Sequence, residues 1–345
     1  MKPLRRLLAA RRLDELAPAQ KFVVYAPLLA WTAIVLFPLY WVIVTSLKEP
    51  IDVADGPYYI PFVDFRPSLH AWKYIFFDLG RDTLRPYLNS VIVSSAATLV
   101  AVLIGAMAAY GLARMEYRPS VGSVLLFVAA IALAALMSFW GGVDWRLALL
   151  AGLAIFAIAL RMLGRRFRRR LANHDILFWV ISQRILPPVV TAIPIYLMFK
   201  ELGLLDTHSA LIITYATVNL PIVVWLMYDF FCAVPRELEE SAQIDGASRL
   251  RIFFDVALAL VRPGLVATSL LVLILCWNEY LLALFLSTVE AQTMPLLVAA
   301  QNATRGPQWW YMSVLIIIMI LPVIALTLLL QRFITKGLLV GAIKG

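Results

Sequence analysis

The feature that most constrains this chain is a series of long apolar segments with almost no charge. The first of them, Phe22 to Leu47, contains no charged residue. A helix rises about 1.5 Å per residue, so about 20 apolar residues cross the hydrocarbon core of a membrane. The chain is 62% hydrophobic and 15% charged over 345 residues, and one soluble core cannot bury that much apolar surface. The pattern excludes a soluble enzyme and a disordered chain, and it predicts a helical protein with several membrane spans.

Eight segments have the length and hydropathy of a membrane span. A signal peptide is excluded for the first, because its apolar run is too long and no small-residue cleavage site follows it. The fourth is weaker, since Arg146 and Arg161 lie near its ends, where long side chains reach the interface. The predicted spans are Phe22–Leu47, Pro86–Ala113, Pro119–Trp140, Trp145–Leu163, Ile176–Phe199, Ser209–Ala233, Pro263–Leu286 and Gln308–Phe333.

The basic residues predict the orientation of these spans. The net charge of +9 is by itself also typical of nucleic-acid-binding proteins. Here, however, the basic residues lie in short runs between apolar segments and gather on one side of the predicted membrane. Loops rich in Lys and Arg face the cytoplasm. We therefore expect both termini to be cytoplasmic, and we expect no nucleic-acid partner.

The segment from Pro235 to Arg262 differs from every other loop. Pro235 suits the start of a helix, and acidic residues fill the turns that follow it. Asp245-Gly246 predicts a break, because glycine reaches backbone angles that other residues avoid, and a second amphipathic stretch comes next. Two short helices joined at a glycine suit contact with a soluble partner. An amphipathic linker on the membrane surface explains the same composition equally well.

At this loop the sequence resembles a known family. Glu240-Ser241-Ala242, Asp245-Gly246-Ala247, Phe253 and Pro263 are similar to the EAA signature of permeases from binding-protein-dependent ABC importers. More specifically, the chain resembles the second permease of the carbohydrate-uptake, maltose-transporter type. Other motifs typical of this family are Thr45-Ser46-Leu47-Lys48, Asn89-Ser90, Tyr110 to Arg114, Leu186-Pro187-Pro188, Ile193-Pro194-Ile195-Tyr196, Leu202 to Thr207, Trp277-Asn278-Glu279-Tyr280 and Gly341 to Gly345.

The resemblance implies an all-α, polytopic membrane bundle with the type I ABC importer permease fold. Of about eight spans, six form the core and two are an inserted hairpin. The expected function is that of a transmembrane permease subunit in an ATP-driven importer for a sugar, oligosaccharide or polyol, located in the bacterial cytoplasmic (inner) membrane. The resemblance divides the chain into a basic N-terminal segment 1–21, the first two spans 22–117, the inserted hairpin and Arg-rich cluster 118–174, and core spans 175–345 with the loop 235–262.

The same resemblance implies the partners. They are a second homologous permease, two cytoplasmic ATPase subunits, an extracytoplasmic substrate-binding protein and membrane lipid. ATP is then bound by the ATPase subunits, so we expect no cofactor in this chain, and it contains no G-x-x-x-x-G-K-[ST] motif. The residues expected to contact the ATPase are Glu240, Ala242, Asp245, Gly246, Ala247 and Phe253.

Three departures from the family pattern are visible. Ser241 replaces the usual alanine, a change between small residues. Ala259 stands where the family usually has proline, so we expect a straighter path from the loop into the seventh span. Residues 118 to 175 add two spans to a connection that is normally direct. We expect this hairpin to face lipid and the cluster Arg165 to Arg170 to lie against anionic headgroups.

No motif for catalysis or metal binding is present. His70, His174 and His208 are scattered, and no HExxH, paired-carboxylate or Gly-x-Ser-x-Gly pattern occurs. Cys232 and Cys276 form neither a CxxC pair nor a metal-ligand spacing. We therefore expect a protein that is not an enzyme and has no metal site.

Four polar residues within the spans are candidates for a translocation pathway: Arg184, Asn219, Asn278 and Glu279. Ionisable groups in a membrane are costly and therefore often functional. The alternative is packing between helices through hydrogen bonds. We expect Asn219, Asn278 and Glu279 to lie at a similar depth, with Glu279 facing the bundle interior and Arg184 as its partner.

A self-contained secondary transporter or channel is the alternative function. Such folds often contain inverted repeats, and the sequence shows no internal repeat. A membrane-embedded enzyme lacks a candidate site. The loop from Glu237 to Phe254 favours the importer subunit, because only an importer subunit requires a loop that contacts a soluble partner.

Overall fold

The computed structural model describes residues 18–164, 167, 170–302 and 306–342. Most of the basic segment 1–21, four of the five arginines in the cluster Arg165 to Arg170 and the last three residues of the C-terminal motif lie outside this range. Among the described residues the secondary structure is helical, apart from isolated bridges between Pro61 and Phe65 and between Ser120 and Arg170. The all-helical fold expected from the sequence is confirmed.

Sixteen helices are defined among the described residues. Two of them run into a wider π-helical turn, α3 into Tyr74–Asp78 and α11 into Ile252–Ala257, and α7 runs into a 3₁₀ turn, Gln183–Ile185. The helices are α1 Pro18–Thr45, α2 Pro50–Asp55, α3 His70–Lys73, α4 Gly80–Arg114, α5 Val121–Phe139, α6 Trp145–Leu163, α7 Asn173–Ser182, α8 Pro188–Glu201, α9 His208–Cys232, α10 Arg236–Ile244, α11 Arg249–Arg251, α12 Leu258–Leu260, α13 Arg262–Trp277, α14 Leu281–Leu286, α15 Met294–Ala300 and α16 Trp309–Ala342.

Six described helices are long and apolar enough to cross a membrane: α1, α4, α5, α6, α9 and α16. Two bent pairs also qualify, and the number reaches the predicted eight if each bent pair is counted as one span. In the first pair, Asn173–Ile185 meets Pro188–Glu201 at 88°. The predicted fifth span, Ile176–Phe199, is therefore sharply bent and is not one straight helix. Proline offers no N–H to the helix and disfavours helical geometry in the residue before it, so Pro187-Pro188 breaks the segment.

The structure differs from two expectations about the seventh span. Arg249–Leu260 meets Arg262–Trp277 at 85°, so the path from the loop into this span is not straightened by Ala259. The helix α13 then ends at Trp277, and α14 begins only at Leu281. The predicted single span from Pro263 to Leu286 is therefore two helices.

The chain forms two compact units. The first comprises residues 1–90 and 291–325, and the second comprises residues 91–290 and 326–345. The core of the first unit contains Ala71, Ile75, Met294, Val314 and Leu315, all of them buried. In this unit Lys48 is 2% exposed, and its ammonium nitrogen lies 4.3 Å from the centroid of the Trp41 ring. Burial lowers the pKa of Lys48, and the carboxylates of Asp52 and Asp64 oppose that shift.

The helix α9 is central to the second unit. It packs against α7, α13 and α14, and eleven of its residues are buried. Gly105 of α4 allows a close approach to it, because a Cβ at this position would lie 2.6 Å from a methyl carbon of Val223. Close packing through small residues is how helices associate in a membrane, where exclusion from water does not drive them together.

The inserted hairpin, α5 and α6, is joined to the rest of the second unit at its base. Gly152 of α6 packs against Ala130 and Ala134 of α5. At the base, the Asn173 side-chain amide donates to the carbonyl oxygens of Leu112 and Met115, both at 2.7 Å. Its oxygen accepts from the backbone N–H of Tyr117 at 3.1 Å. The two ends of the insertion therefore lie side by side.

Candidate functional site

The loop between α9 and α13 contains the two short helices that the sequence predicts. Helix α10 follows Pro235 and has Glu237 and Glu239 in its first turn. It ends at Ile244, and Gly246, two residues later, has a φ of +85°, in the left-handed region that favours glycine. The backbone N–H of Ala247 then bonds to the carbonyl of Ala242 at 3.0 Å, and Ser248 caps α11 by accepting from Arg251 N–H at 3.4 Å. Local chemistry at the glycine thus fixes the bend.

A buried ion pair joins this loop to the end of α4. The Arg114 guanidinium lies 2.7 Å from a Glu239 carboxylate oxygen, and the two side chains are only 11% and 10% exposed. The Tyr110 hydroxyl donates to the other carboxylate oxygen at 2.7 Å. Arg114 also donates to the carbonyl of Val234 at 3.0 Å. Both charges are therefore paired and hydrogen-bonded, the condition under which buried charges are tolerated.

Aromatic rings pack beside this ion pair. The ring of Tyr110 lies 5.4 Å from that of Phe231 and 5.2 Å from that of Phe253, between centroids. Phe231 and Phe253 are both buried. Rings at these separations stabilise one another beyond the area that they bury. The ion pair and the rings together fix the loop to α4 and α9.

The outer surface of the loop is exposed and mixed in character. Three apolar side chains, those of Ile244, Leu238 and Leu250, are 87%, 46% and 61% exposed. Of the six residues predicted to contact an ATPase, Glu240, Asp245 and Gly246 are exposed, and Ala242 and Ala247 are half-buried. Phe253 lies inside, against Tyr110. Five of the six therefore lie where a partner can reach them, and Phe253 lies where it holds the loop in place.

Sequence reasoning missed Glu239, Arg114 and Tyr110 as a unit. Each had a visible signal: Tyr110 and Arg114 lie one helical turn apart at the end of an apolar span, and Glu239 lies in the first turns of α10. Nothing local indicates that residues 125 positions apart form a pair. The exposed Glu240 and the buried Glu239 are indistinguishable without the tertiary structure.

In the second unit Asn219 lies on α9, and Glu279 lies in the connection between α13 and α14. The buried Asn219 amide donates to the Tyr215 carbonyl at 2.9 Å and to the Cys276 sulfur at 3.4 Å. The Tyr215 hydroxyl donates to the Glu279 carbonyl at 3.3 Å. These contacts join α9 to α13 and to the residues just after it. Asn219 therefore has the geometry of helix packing.

Asn278 and Glu279 do not share one environment. Asn278 is exposed, and its amide donates to the carbonyl of Ile274 at 2.8 Å. Glu279 is half-buried, and its carboxylate accepts from the backbone N–H of Leu282 at 3.0 Å. A carboxylate suits this position at the start of α14, where N–H groups have no helical partner. The predicted ion pair between Glu279 and Arg184 is not formed among the described residues.

Arg184 lies instead at the bend between α7 and α8. It lines a cleft of about 740 Å³ together with residues of α7, α8 and α9. As a whole residue, Arg184 is half-buried.

At the other end of α9, Asp206 joins two connections of the chain. Its carboxylate accepts from the backbone N–H groups of Thr288, Val289 and Glu290 and from the Thr288 hydroxyl, at 2.9 to 3.2 Å. Its own N–H donates to the Leu286 carbonyl at 2.8 Å. The connection before α9 therefore holds the segment after α14.

We expect Asp206→Ala to release that segment. The N–H groups of residues 288 to 290 lose their charged acceptor, and hydrogen bonds to charged groups contribute about 1.5–3 kcal/mol each. Hydrogen exchange at these three amides should accelerate by about tenfold or more, since 1.4 kcal/mol is a factor of ten. Asp206→Asn retains one acceptor oxygen and should give a smaller increase. Unchanged exchange in Asp206→Ala would show that other contacts hold the segment.

The sequence and the structure were compared with known proteins. The profile of the family described as "Binding-protein-dependent transport system inner membrane component" matches residues 153–340. The trehalose transport system permease protein SugB of Mycobacterium tuberculosis is 30% identical over 318 residues, which cover 90% of this chain and 93% of that protein. The trehalose/maltose transport system permease protein MalG of Thermococcus litoralis is 27% identical over 314 residues, with coverage of 90% and 92%.

A solved structure supports the fold. A chain of a bacterial ABC transporter involved in the import of the acidic polysaccharide alginate superposes with a TM-score of 0.60 at 20% sequence identity. The match covers 94% of this chain and 99% of that chain. At this identity the similarity establishes the fold.

Proposed function

This chain belongs to the family of binding-protein-dependent transport system inner membrane components, and on that premise we propose that it is a permease subunit of an ATP-driven importer for a sugar, oligosaccharide or polyol. The trehalose and trehalose/maltose permeases among its relatives support the substrate class. The family is the membrane component of importers that also contain an ATPase and a binding protein.

The observation that carries the proposal is the anchored loop at residues 235–262. Its outer surface presents Glu240, Asp245 and Ile244 to solvent, while Glu239 and Phe253 fix it to α4 and α9. A loop that is rigid at its base and exposed at its tip passes motion of a bound partner into the helices. A linker lying on a membrane needs no such anchor.

The proposed mechanism couples the ATPase to alternating access. Two cytoplasmic ATPase subunits, in which ATP is bound and hydrolysed, contact the loop through Glu240, Ala242, Asp245, Gly246 and Ala247. Their closure displaces the loop, and the Arg114–Glu239 pair moves the end of α4 with it. A partner shifts the equilibrium between two conformational states of the permease only if it binds one of them more tightly. ATP-driven closure must therefore change the contacts between the ATPase subunits and the exposed surface of the loop.

The rest of the assembly follows from the same proposal. A second, homologous permease completes the pathway, and a substrate-binding protein docks at the opposite, extracytoplasmic face. Both termini and the 235–262 loop are cytoplasmic, in the bacterial inner membrane. The chain itself is not an enzyme.

A reconstituted complex in lipid nanodiscs tests the proposal. ATP hydrolysis should rise when binding protein loaded with its sugar is added, and sugar should accumulate in proteoliposomes only with ATP. Reporter fusions at residue 345 and within residues 235–262 should both report the cytoplasm. Uptake by this chain without any ATPase would support the self-contained transporter instead.

We expect the inserted hairpin to be dispensable for the transport core. The Leu171 N–H donates to the Pro119 carbonyl at 2.9 Å, and Asn173 already joins both ends of the insertion. A variant that lacks residues 119–171 and joins Arg118 to Ala172 through Gly-Ser should insert with residue 345 on the same side as in the intact chain. It should retain ATP-driven uptake, measured in proteoliposomes. A C-terminal reporter on the opposite side would disprove the span count.

A further inference from the structure

The cleft at the bend of α7 and α8 has an unusual combination of groups. Its polar and aromatic lining consists of Trp179, Ser182, Gln183, Arg184, Thr191 and Thr217. These residues come from three segments, since Thr217 belongs to α9 while the others flank the break on both sides. In a membrane, a broken helix is tolerated where it is buried in protein or lines a water-filled cavity. Substrate sites of transporters are typically formed at such breaks.

Arg184 is the only charged residue that lines this cleft among the described residues. No carboxylate of the described chain lies within 4.0 Å of its guanidinium. Glu279, the acid expected from the sequence to pair with it, instead accepts from the N–H of Leu282. A cation within a membrane span requires a counter-charge or a functional reason.

The hydroxyl groups of the cleft are acceptors for a ligand. Ser182 donates to the carbonyl of Trp179 at 2.8 Å, Thr191 to that of Pro188 at 2.9 Å, and Thr217 to that of Ile213 at 2.7 Å. Each hydroxyl hydrogen is therefore committed to the chain's own backbone, and the oxygen lone pairs remain. Such a lining suits a ligand that carries many O–H donors.

The remaining groups suit the other features of a sugar. The Trp179 side chain is 58% exposed at the cleft, and an indole offers an apolar face to the C–H surface of a pyranose ring. The amide of Gln183 is exposed and can both donate and accept. A guanidinium binds carboxylate, sulfonate or phosphate oxygens through two parallel hydrogen bonds.

We propose that this cleft is a substrate site in the translocation pathway and that Arg184 binds an acidic group of the transported carbohydrate, such as the carboxylate of a uronic acid. The inference rests on the proposed function and makes it more specific: the importer moves anionic sugars, and this subunit contacts them. Trp179 packs against the ring, and Ser182, Thr191 and Thr217 accept from its hydroxyl groups.

The first test measures whether Arg184 is free of a counter-charge in the assembled importer. In a complex whose Cys232 and Cys276 are replaced by alanine, a single cysteine is introduced as Ile195→Cys, at an apolar position of the cleft lining. Its modification rates by an anionic and by a cationic methanethiosulfonate reagent of similar size report the local potential. We expect the anionic reagent to be favoured, and Arg184→Gln to reduce the ratio of the two rates by about tenfold, while Arg184→Lys preserves it. Arg161→Gln, an exposed arginine of the hairpin, is the matched control and should leave the ratio unchanged.

The second test measures ligand binding by protection of the same cysteine. Digalacturonate should slow the modification, and galactobiose, a neutral disaccharide of similar size, should protect much less. Arg184→Gln should abolish the difference. Equal protection by the two sugars would overturn the assignment to acidic substrates. A ratio of rates that does not respond to Arg184→Gln would show that a neighbouring subunit neutralises the arginine, which also overturns the inference.

The failure of this inference can be distinguished from failure of the proposed function. If loaded binding protein stimulates ATP hydrolysis and neutral sugars are transported while digalacturonate gives no protection, the importer function stands and the acidic-substrate site is wrong. If no binding protein and no sugar stimulates the complex, the proposed function itself fails. Gel filtration of each variant confirms that the complex has assembled before either conclusion is drawn.

Discussion

Glu239→Gln is expected to lower ATP-driven uptake by about tenfold or more while leaving insertion into the membrane intact. The substitution leaves the Arg114 guanidinium buried without a counter-charge, and breaking a buried pair in this way costs about 3–5 kcal/mol. Even a third of that free-energy cost lowers the population of the loop that is docked against α4 by about a factor of ten. The loop 235–262 should then separate from α4, so that ATP hydrolysis no longer drives transport.

Further variants make this expectation specific. Glu237→Gln removes an exposed acid from the same helical turn and should leave the thermal midpoint of the complex unchanged. Arg114→Met combined with Glu239→Met removes both charges, and replacing a buried pair by apolar residues is often neutral. The double variant should therefore be more stable than either single variant. If Glu239→Gln alone leaves both the thermal midpoint and uptake unchanged, the ion pair does not hold the loop.

Gly246→Val is expected to disrupt assembly with the ATPase subunits and reduce uptake by about tenfold. At a φ of +85° a β-branched side chain is strained, and left-handed geometry costs residues other than glycine about 1–2 kcal/mol or more. No neighbouring heavy atom lies within 4 Å of a Cβ built at this position. The effect must therefore come from the backbone, which changes the angle between α10 and α11.

The matched controls separate backbone strain from side-chain size. Gly246→Asn should be milder, because asparagine tolerates the left-handed region better than other residues. Gly111→Val adds the same side chain at a helical glycine that also has open space around it, and it should leave assembly intact. The measurement is co-purification of the ATPase subunits with membrane-inserted permease, followed by uptake. Normal assembly and uptake in Gly246→Val would contradict a role for the bend in ATPase contact.

Features that depend on local chemistry were predictable from the sequence. Apolar length sets the number of spans, because the thickness of the membrane is fixed. The bend at Gly246 was predictable because few other residues reach that φ. The start of α10 after Pro235 was predictable for a related reason, since proline at a helix start gives up no hydrogen bond.

Features that depend on residues far apart in the chain required the tertiary structure. Glu239 and Glu240 are adjacent acids on one short helix, yet only Glu239 meets Arg114, because that face of α10 turns towards α4. The opposite charges of Arg184 and Glu279 predicted an ion pair, but the Glu279 carboxylate accepts from the N–H of Leu282, and Arg184 lines a cleft. The proline pair in the fifth span can be read from the sequence. The 88° bend between the helices on either side of it and the cleft beside the bend depend on how α9 packs.

The sequence by itself therefore determined which segments are long and apolar enough to cross a membrane and where the loop bends, because hydropathy and backbone preference act within a few residues. Only the tertiary structure decided which charge is buried, which acid is paired and which polar groups share a cleft. Those outcomes depend on which helix faces meet, and burial is what makes an unpaired charge costly.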